Sequence, residues 1–462
     1  MPPNVLLVVA DDQRPDTVGP FDDGSVSTPH LDEIAANGCA VRPYTTVPVC
    51  TPARAELFSG ANGFENGCRW FGEPIDDDAT LLPETLGDAG YETFFSGKWH
   101  NQPDPETAGF DRARIIHEGP GLDHENKNNY LETGHTYRLD WDRHEFETHG
   151  TEAIVEPAED FLLSDPGNPW LCTVTFHAPH EPFDPPLSFD TYDPDDVAVP
   201  PNFMPEHPFD NSEMAIRDEF TEPWPRTPEM VRDLRARYYG QISHLDHAVG
   251  RLLTALERTG QREDTIVVFT SDHGLAVGSH GLLGKQNMYE HSARVPLVID
   301  GPGVKTRDPP GALCGHYDFL PTLCDLLGVE TPASATGESY APVLRGESDA
   351  HREHMFGAYR DCMRMARDDR WKLVYYPASN DVQLFDLEHD PNETQNLLAE
   401  WRPYEPREWD QSWMPDYEPP ADAATVDFVA ADLLDALRDW IGEKGDPVDI
   451  PDAVPVTVDP DR

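Results

Sequence analysis

Four times along this chain a short apolar run stops at residues able to bind cations or carry protons. Residues 4–10 run into Asp11 and Asp12, and residues 91–96 into Gly97-Lys98-Trp99-His100. Residues 170–176 run into His177 and His180, and residues 265–271 into Asp272-His273-Gly274. Runs this short and this rich in Val, Ile and Phe read as strands buried on both faces, as in a largely parallel sheet. Between them, residues 27–37, 81–89, 152–163 and 230–259 carry helical spacing. Strands alternating with helices predict a doubly wound α/β sheet, whose ligands bind at the carboxyl ends of the strands. One rim then gathers Asp11, Asp12, Lys98, His100, His177, His180, Asp272 and His273.

Two stretches interrupt this alternation. Residues 117–150 are rich in His, Asn and Asp with little periodicity, and residues 182–228 are rich in Pro and acids. Both read as long loops over the rim, where specificity resides. Beyond about residue 345 the texture changes. Residues 363–366, 371–376 and 383–387 are strand-like with turns between them, predicting a small antiparallel sheet. Residues 426–441 show helical spacing, and the last twenty residues form an acidic, Pro-rich tail. The expected organisation is a catalytic α/β domain over residues 1–345, with a large, mostly parallel sheet flanked by helices. A smaller α+β subdomain over residues 346–462 follows it.

The charge excludes one class of partner. With 86 acidic and 34 basic residues the formal charge is −52, and only six of the basic residues are Lys. A nucleic-acid binder carries the opposite sign. The acidity is spread along the chain, which reads as a halophile's surface. At about 1 M salt the Debye length is roughly 3 Å, so such a charge is tolerated and keeps the protein soluble. No apolar run is long enough to cross a bilayer. The six apolar residues 5–10 lack a basic start and end in two aspartates, which reads as a strand rather than a signal peptide and points to a cytoplasmic enzyme without a membrane partner. The seven cysteines are widely spaced with no CxxC pair. They predict neither a disulfide framework nor a zinc site, and six of them read as small buried residues.

Three carboxylates, Asp11, Asp12 and Asp272, at two neighbouring strand ends would drive up one another's pKa values unless a cation joined them. Their oxygens favour calcium or magnesium over zinc. Cys50 precedes Pro52 by two residues, which suits the first turn of a helix. A thiol there lies where the helix dipole favours negative charge, with Arg54 one turn along. Local chemistry leaves Cys50 open between a reactive thiol and a buried structural one.

The segment Cys50-Thr51-Pro52-Ala53-Arg54 resembles the signature of the formylglycine-dependent sulfatases, an alkaline phosphatase-like family. The resemblance extends over nearly the whole chain. Asp11-Asp12 is similar to the family's first metal strand, and Gly97-Lys98-Trp99-His100 to its Lys-x-His element. His177-Ala178-Pro179-His180-Glu181-Pro182 resembles its central His segment. Ser271-Asp272-His273-Gly274 and Gly284-Lys285-Gln286-Asn287-Met288-Tyr289-Glu290 resemble its last metal strand and second lysine. Leu384-Phe385-Asp386-Leu387 with Asp390-Pro391-Asn392-Glu393 is similar to its C-terminal subdomain.

The resemblance implies a sulfate ester hydrolase in which Cys50 is oxidised to Cα-formylglycine by a maturation enzyme. Asp11, Asp12, Asp272, His273 and the modified Cys50 would hold one divalent cation, calcium before magnesium. A hydroxyl of the formylglycine hydrate would attack sulfur while Lys98, Lys285 and the metal neutralise the sulfuryl oxygens. His180 would protonate the departing alcohol, with His177 as the alternative. His100 would help deprotonate the second hydroxyl, and Arg54 would support the hydrate. The substrate would be a small-molecule or saccharide sulfate ester. One departure is Ala61, where family members often carry Arg in the Leu-x-Gly-Arg continuation; it bears on local packing and on recognition by the maturation machinery. A phosphomonoester or phosphonate monoester hydrolase of the same superfamily would use the same residues. A metal-stabilised binding protein without catalysis would result if Cys50 stayed unmodified. His291 reads as structural, and His117, His124, His135, His144 and His149 as surface residues.

Overall fold

A computed structural model describes residues 2–21, 24–117, 130–133, 136–139, 149–167, 169–398 and 423–451. Its main sheet has nine strands: β1 (Asn4–Ala10), β2 (Cys39–Val41), β3 (Glu92–Lys98), β4 (Arg112–His117), β5 (Tyr130–Thr133), β6 (Thr136–Leu139), β7 (Trp170–Thr175), β8 (Thr265–Ser271) and β9 (Leu297–Asp300). Their order is β2-β9-β8-β1-β7-β3-β4-β6-β5. From β8 to β6 every neighbour is parallel; β9 and β5 run antiparallel to their partners. β1 lies at the centre, with Val5 opposite Leu171 on one side and Ile266 on the other.

The apolar runs are continuous because both faces are covered. Val5, Leu7 and Val9 point into one layer with Ala55, Leu57, Phe58, Leu320 and Leu323. Leu6, Val8 and Ala10 point into the other with Ile154, Ala158, Leu245, Val249 and Leu252. Each of these large aliphatic side chains contributes about 1.5–3 kcal/mol by leaving water. The helices that supply the layers are Pro29–Asn37, Cys50–Ser59, Leu82–Asp88, Gly150–Leu163, Pro228–Thr259 and Phe319–Leu327.

Near the C-terminus β10 (Met355–Tyr359), β11 (Met363–Arg367), β12 (Trp371–Tyr376) and β13 (Asp381–Asp386) form a separate antiparallel sheet in that order. The helix Ala423–Lys444 packs Leu433, Leu434 and Leu437 on Leu373 and Leu384 of this sheet. Lys372 on β12 reaches Glu290 at 3.0 Å and Glu393 at 2.8 Å, tying the small sheet to the segment that follows Lys285.

Two expectations need correction. Residues 117–150 are not loop alone: the stretch contains β5 and β6, which extend the main sheet, while residues 118–129, 134–135 and 140–148 lie outside the described residues. The strand pattern was hidden because these segments are only four residues each, too short to show a period, and are not continuous apolar runs. His149 is not a surface residue, because it caps the helix Gly150–Leu163 with its side chain. Residues 452–462, read as an acidic tail, lie outside the described residues, as do His124, His135 and His144.

Candidate active site

The carboxyl ends of β1, β8, β3 and β7 converge as the apolar runs predict. β1 delivers Asp11 and Asp12, and Asp12 turns the chain out of the strand in a left-handed conformation (φ 67°) that a non-glycine residue adopts only when its surroundings impose it. The amide of Asp11 donates to Ala178 O at 3.2 Å, and that of Asp12 to Asp272 Oδ1 at 3.2 Å. On β3, Gly97 (φ 125°) lies so close to β7 that a Cβ there would meet Thr175 O at 1.9 Å. Only glycine permits this approach, and it sets Lys98 at the strand end. The Lys98 carbonyl accepts from Arg54 at 2.7 Å and from Thr175 Oγ1 at 2.7 Å.

Cys50 opens the helix Cys50–Ser59, all ten residues of which are buried. Its Sγ lies 3.4 Å from Asp11 Oδ1, 3.2 Å from His273 Nε2 and 3.6 Å from Lys98 Nζ. Arg54, one turn on, places Nε 2.9 Å from Asp272 Oδ2. The turn after this helix is closed despite Ala61: Asn66 Nδ2 donates to Ala61 O at 2.8 Å and to Ser59 Oγ at 3.0 Å.

Asp11, Cys50, Asp272 and His273 each offer a ligand atom, all within 4.8 Å of one another. Asp12 contacts His273 Nδ1 at 3.1 Å and Lys285 Nζ at 3.0 Å. The charges are unbalanced in a way that fits a cation. Burial pushes Asp12 up to about 6, opposed by Lys285 and His273 and reinforced by Asp11 and Asp272. Burial alone would raise Asp11, but Lys98, whose ammonium pairs with it directly, together with His180, Arg54 and Lys285 holds it well below the carboxylate range. Burial works against a charged His273, yet Asp272, Cys50 and Asp12 push it up to about 10. A divalent cation would meet these same partners, and carboxylate oxygens with one imidazole suit a hard ion.

His180 places Nε2 3.8 Å from Asp12 Oδ2, and its Nδ1 lies 2.7 Å from Glu181 O. Burial, and after it the Lys285 ammonium, hold His180 well below the usual imidazole value. His177 stands behind it, ring to ring at 4.8 Å. His100 lies past the end of β3 in a left-handed conformation (φ 62°), edge-on to Phe71 at 4.8 Å. Two residues of the site escaped the sequence reading. Glu181, pushed by burial up to about 7, sits 3.2 Å from His180 Nδ1; its adjacency to His180 was the available signal. Asp218 accepts from Gln286 at 2.7 Å and lies 4.0 Å from Lys285. It comes from the aperiodic insert, which carries no such signal.

A mostly parallel sheet with buried acids, two lysines and a helix-borne cysteine at its carboxyl rim is an alkaline phosphatase-like fold carrying a candidate hydrolytic site. The profile of the family described as Sulfatase matches residues 3–329, and that of N-sulphoglucosamine sulphohydrolase, C-terminal, matches residues 278–405. This chain belongs to the sulfatase family and is a sulfuric ester hydrolase. It is 30% identical over 447 residues to an arylsulfatase of Clostridium perfringens, covering 86% of this chain and 90% of that one. It is 30% identical over 438 residues to a choline-sulfatase of Rhizobium meliloti, covering 86% and 82%. The fold is similar to that of the phosphonate monoester hydrolase of Agrobacterium radiobacter, with a TM-score of 0.74, 24% identity and coverage of 95% and 96%. Among the described residues no helix is long and apolar enough to cross a membrane. All seven cysteines are buried and none forms a disulfide.

Proposed function

We propose that this protein hydrolyses a sulfate ester to alcohol and sulfate with a formylglycine made from Cys50 and a divalent cation, calcium before magnesium. The observation that carries this reading is the convergence on Cys50 Sγ of Asp11, His273 and Lys98 within 3.6 Å. Asp11, Asp12, Asp272, His273 and residue 50 would hold the cation, which supplies Lewis-acid stabilisation of the oxygen that attacks sulfur and of the sulfuryl group. Formylglycine supplies, as its hydrate, one hydroxyl to attack and a second whose deprotonation releases sulfate. A thiol has no such exit, which is the chemical reason for the modification.

The remaining work falls to the side chains. Lys98 and Lys285 flank the cluster and neutralise charge growing on the sulfuryl oxygens. His180 is assigned to the departing alcohol: its Nδ1–H is held by the Glu181 carbonyl while its Nε2 faces the acid cluster, and it donates from Nε2 in the protonated form, which the negative charge of a bound sulfate ester favours. His100 assists the second proton transfer. Arg54 keeps Asp272 and the Lys98 carbonyl in position. The arylsulfatase and choline-sulfatase relatives support a small-molecule ester, and a relative described as an N-acetylglucosamine-6-O-sulfatase, from Bacteroides thetaiotaomicron, supports a saccharide ester; both belong to this class of substrate.

Mass spectrometry of the peptide covering residues 43–54 tests the mechanism. Conversion lowers the Cys50 mass by about 18 Da, as thiol becomes aldehyde. An unmodified peptide from fully active protein would overturn it. The second reading, a phosphonate or phosphomonoester hydrolase, draws on the Agrobacterium radiobacter structure. Parallel rates on p-nitrophenyl sulfate and p-nitrophenyl phosphate separate the two, and a clear phosphate preference would reverse the assignment.

A further inference from the structure

Away from the catalytic rim, two helices lie side by side in the same direction, Gly150–Leu163 and Pro228–Thr259. They are cross-linked at two levels, seven residues apart on each. At the lower level Arg251 grips Glu159, with Nε 3.0 Å from Oε2. This is an ordinary Arg–carboxylate pair. The upper level is different in kind. Glu152 faces two imidazoles, His149 from its own helix cap and His244 from the long helix.

Glu152 Oε1 lies 2.6 Å from His244 Nε2, and its Oε2 lies 3.9 Å from His149 Nδ1. The two rings meet edge to face at 4.7 Å. One ligand atom from each of the three residues lies within 4.8 Å of the other two. His244 is 1% exposed, and its Nδ1 is buried without a hydrogen-bond partner; so is Glu152 Oε2. Of these, Glu152 Oε2 faces the His149 ring, and an ion bound between the two would give that buried oxygen a partner.

We propose that His149, Glu152 and His244 form a second metal site, for a zinc-class divalent cation, that fastens the head of the Gly150–Leu163 helix to the Pro228–Thr259 helix. Two nitrogens and one carboxylate oxygen suit zinc, cobalt or nickel rather than calcium, which separates this site chemically from the oxygen-rich catalytic cluster. The Glu152 side chain is 30% exposed, leaving a path for the ion and for a water as fourth ligand. Apart from a metal, the arrangement is a His–Glu–His triad joined by one hydrogen bond, that between Glu152 and His244, and the experiment distinguishes the two.

The full-length protein is freed of metal with a chelator, dialysed, saturated with calcium to occupy the catalytic cluster, and titrated with Co2+. The expected result is visible ligand-field absorption of a low-coordinate cobalt site, together with a rise in Tm on adding Zn2+. Glu152→Gln and His244→Gln should weaken Co2+ uptake by at least about tenfold and abolish the Zn2+ shift in Tm, while turnover of p-nitrophenyl sulfate is unchanged. His149→Gln provides the same test should His244→Gln fail to fold, since its side chain lies at the helix start. Equal Co2+ uptake by wild type and variants, or no ligand-field band and no Zn2+ shift in the wild type, would overturn the proposal in favour of the triad.

Discussion

Arg54 Nε meets Asp272 Oδ2 at 2.9 Å with neither side chain exposed to solvent. The pair joins the helix that carries Cys50 to the end of β8, across 218 residues of sequence. Removing one partner of a buried pair strands the other charge. Arg54→Ala is therefore expected to destabilise the protein by about 3–5 kcal/mol. Arg54→Lys should recover only part of this, because an ammonium cannot hold Asp272 and the Lys98 carbonyl in one plane. Chemical denaturation of the two variants checks this, and a loss under about 1 kcal/mol for Arg54→Ala would contradict it.

Lys98 and Lys285 approach the cluster from two different segments, one ending β3 and one in the loop after β8. Lys98→Ala and Lys285→Ala should each lower kcat by roughly 10²–10³, the loss expected for one transition-state charge contact, with far-UV circular dichroism unchanged. Near-normal turnover in either variant would mean that the sulfuryl group sits elsewhere.

Stability should also depend on Glu56, a buried residue of the Cys50–Ser59 helix that accepts from the Thr46 amide at 2.9 Å. Burial pushes its carboxyl from 4.5 up to about 8. Between these values the folded protein holds a proton that the unfolded chain has released. Its contribution to stability therefore falls as pH rises through that window, by at most about 1.4 kcal/mol per pH unit. Glu56→Gln, neutral throughout, should flatten the decline of Tm between about pH 5 and 8. A variant that tracks the wild type across this range would show that Glu56 ionises freely.

The formal charge of −52 gives the fourth expectation. Self-repulsion at low ionic strength weakens the compact state, and about 1 M salt shortens its range to roughly 3 Å. Tm should be higher in molar KCl than in dilute buffer. Higher stability in the dilute buffer would remove the halophilic reading of this surface.

How far the amino-acid pattern disclosed this molecule depends on burial. β1, β7 and β8 are buried on both faces and stand out as unbroken apolar runs. Their ends brought Asp11, Asp12, His180, Asp272 and His273 into view together. β2 and β9 span three and four residues and pair antiparallel with each other, too short to print a period. β5 and β6 span four residues each and mix polar with apolar side chains, so they too leave no period. Within the site, residues on strand ends were visible, whereas Asp218 depends on a loop path that no periodicity encodes. The Arg54–Asp272 contact joins residues whose partnership only the folded chain creates.

The complete burial of the helix at residues 50–59 has a consequence for biosynthesis. Under the proposed conversion of Cys50, a maturation enzyme would have to grasp several residues on either side of it, and the finished fold presents none of them. Oxidation of that thiol and closure of the fold would then compete for the same chain. Whatever fraction folded first would be locked as an inert by-product, so the specific activity of a preparation would record how this race was run when the protein was made.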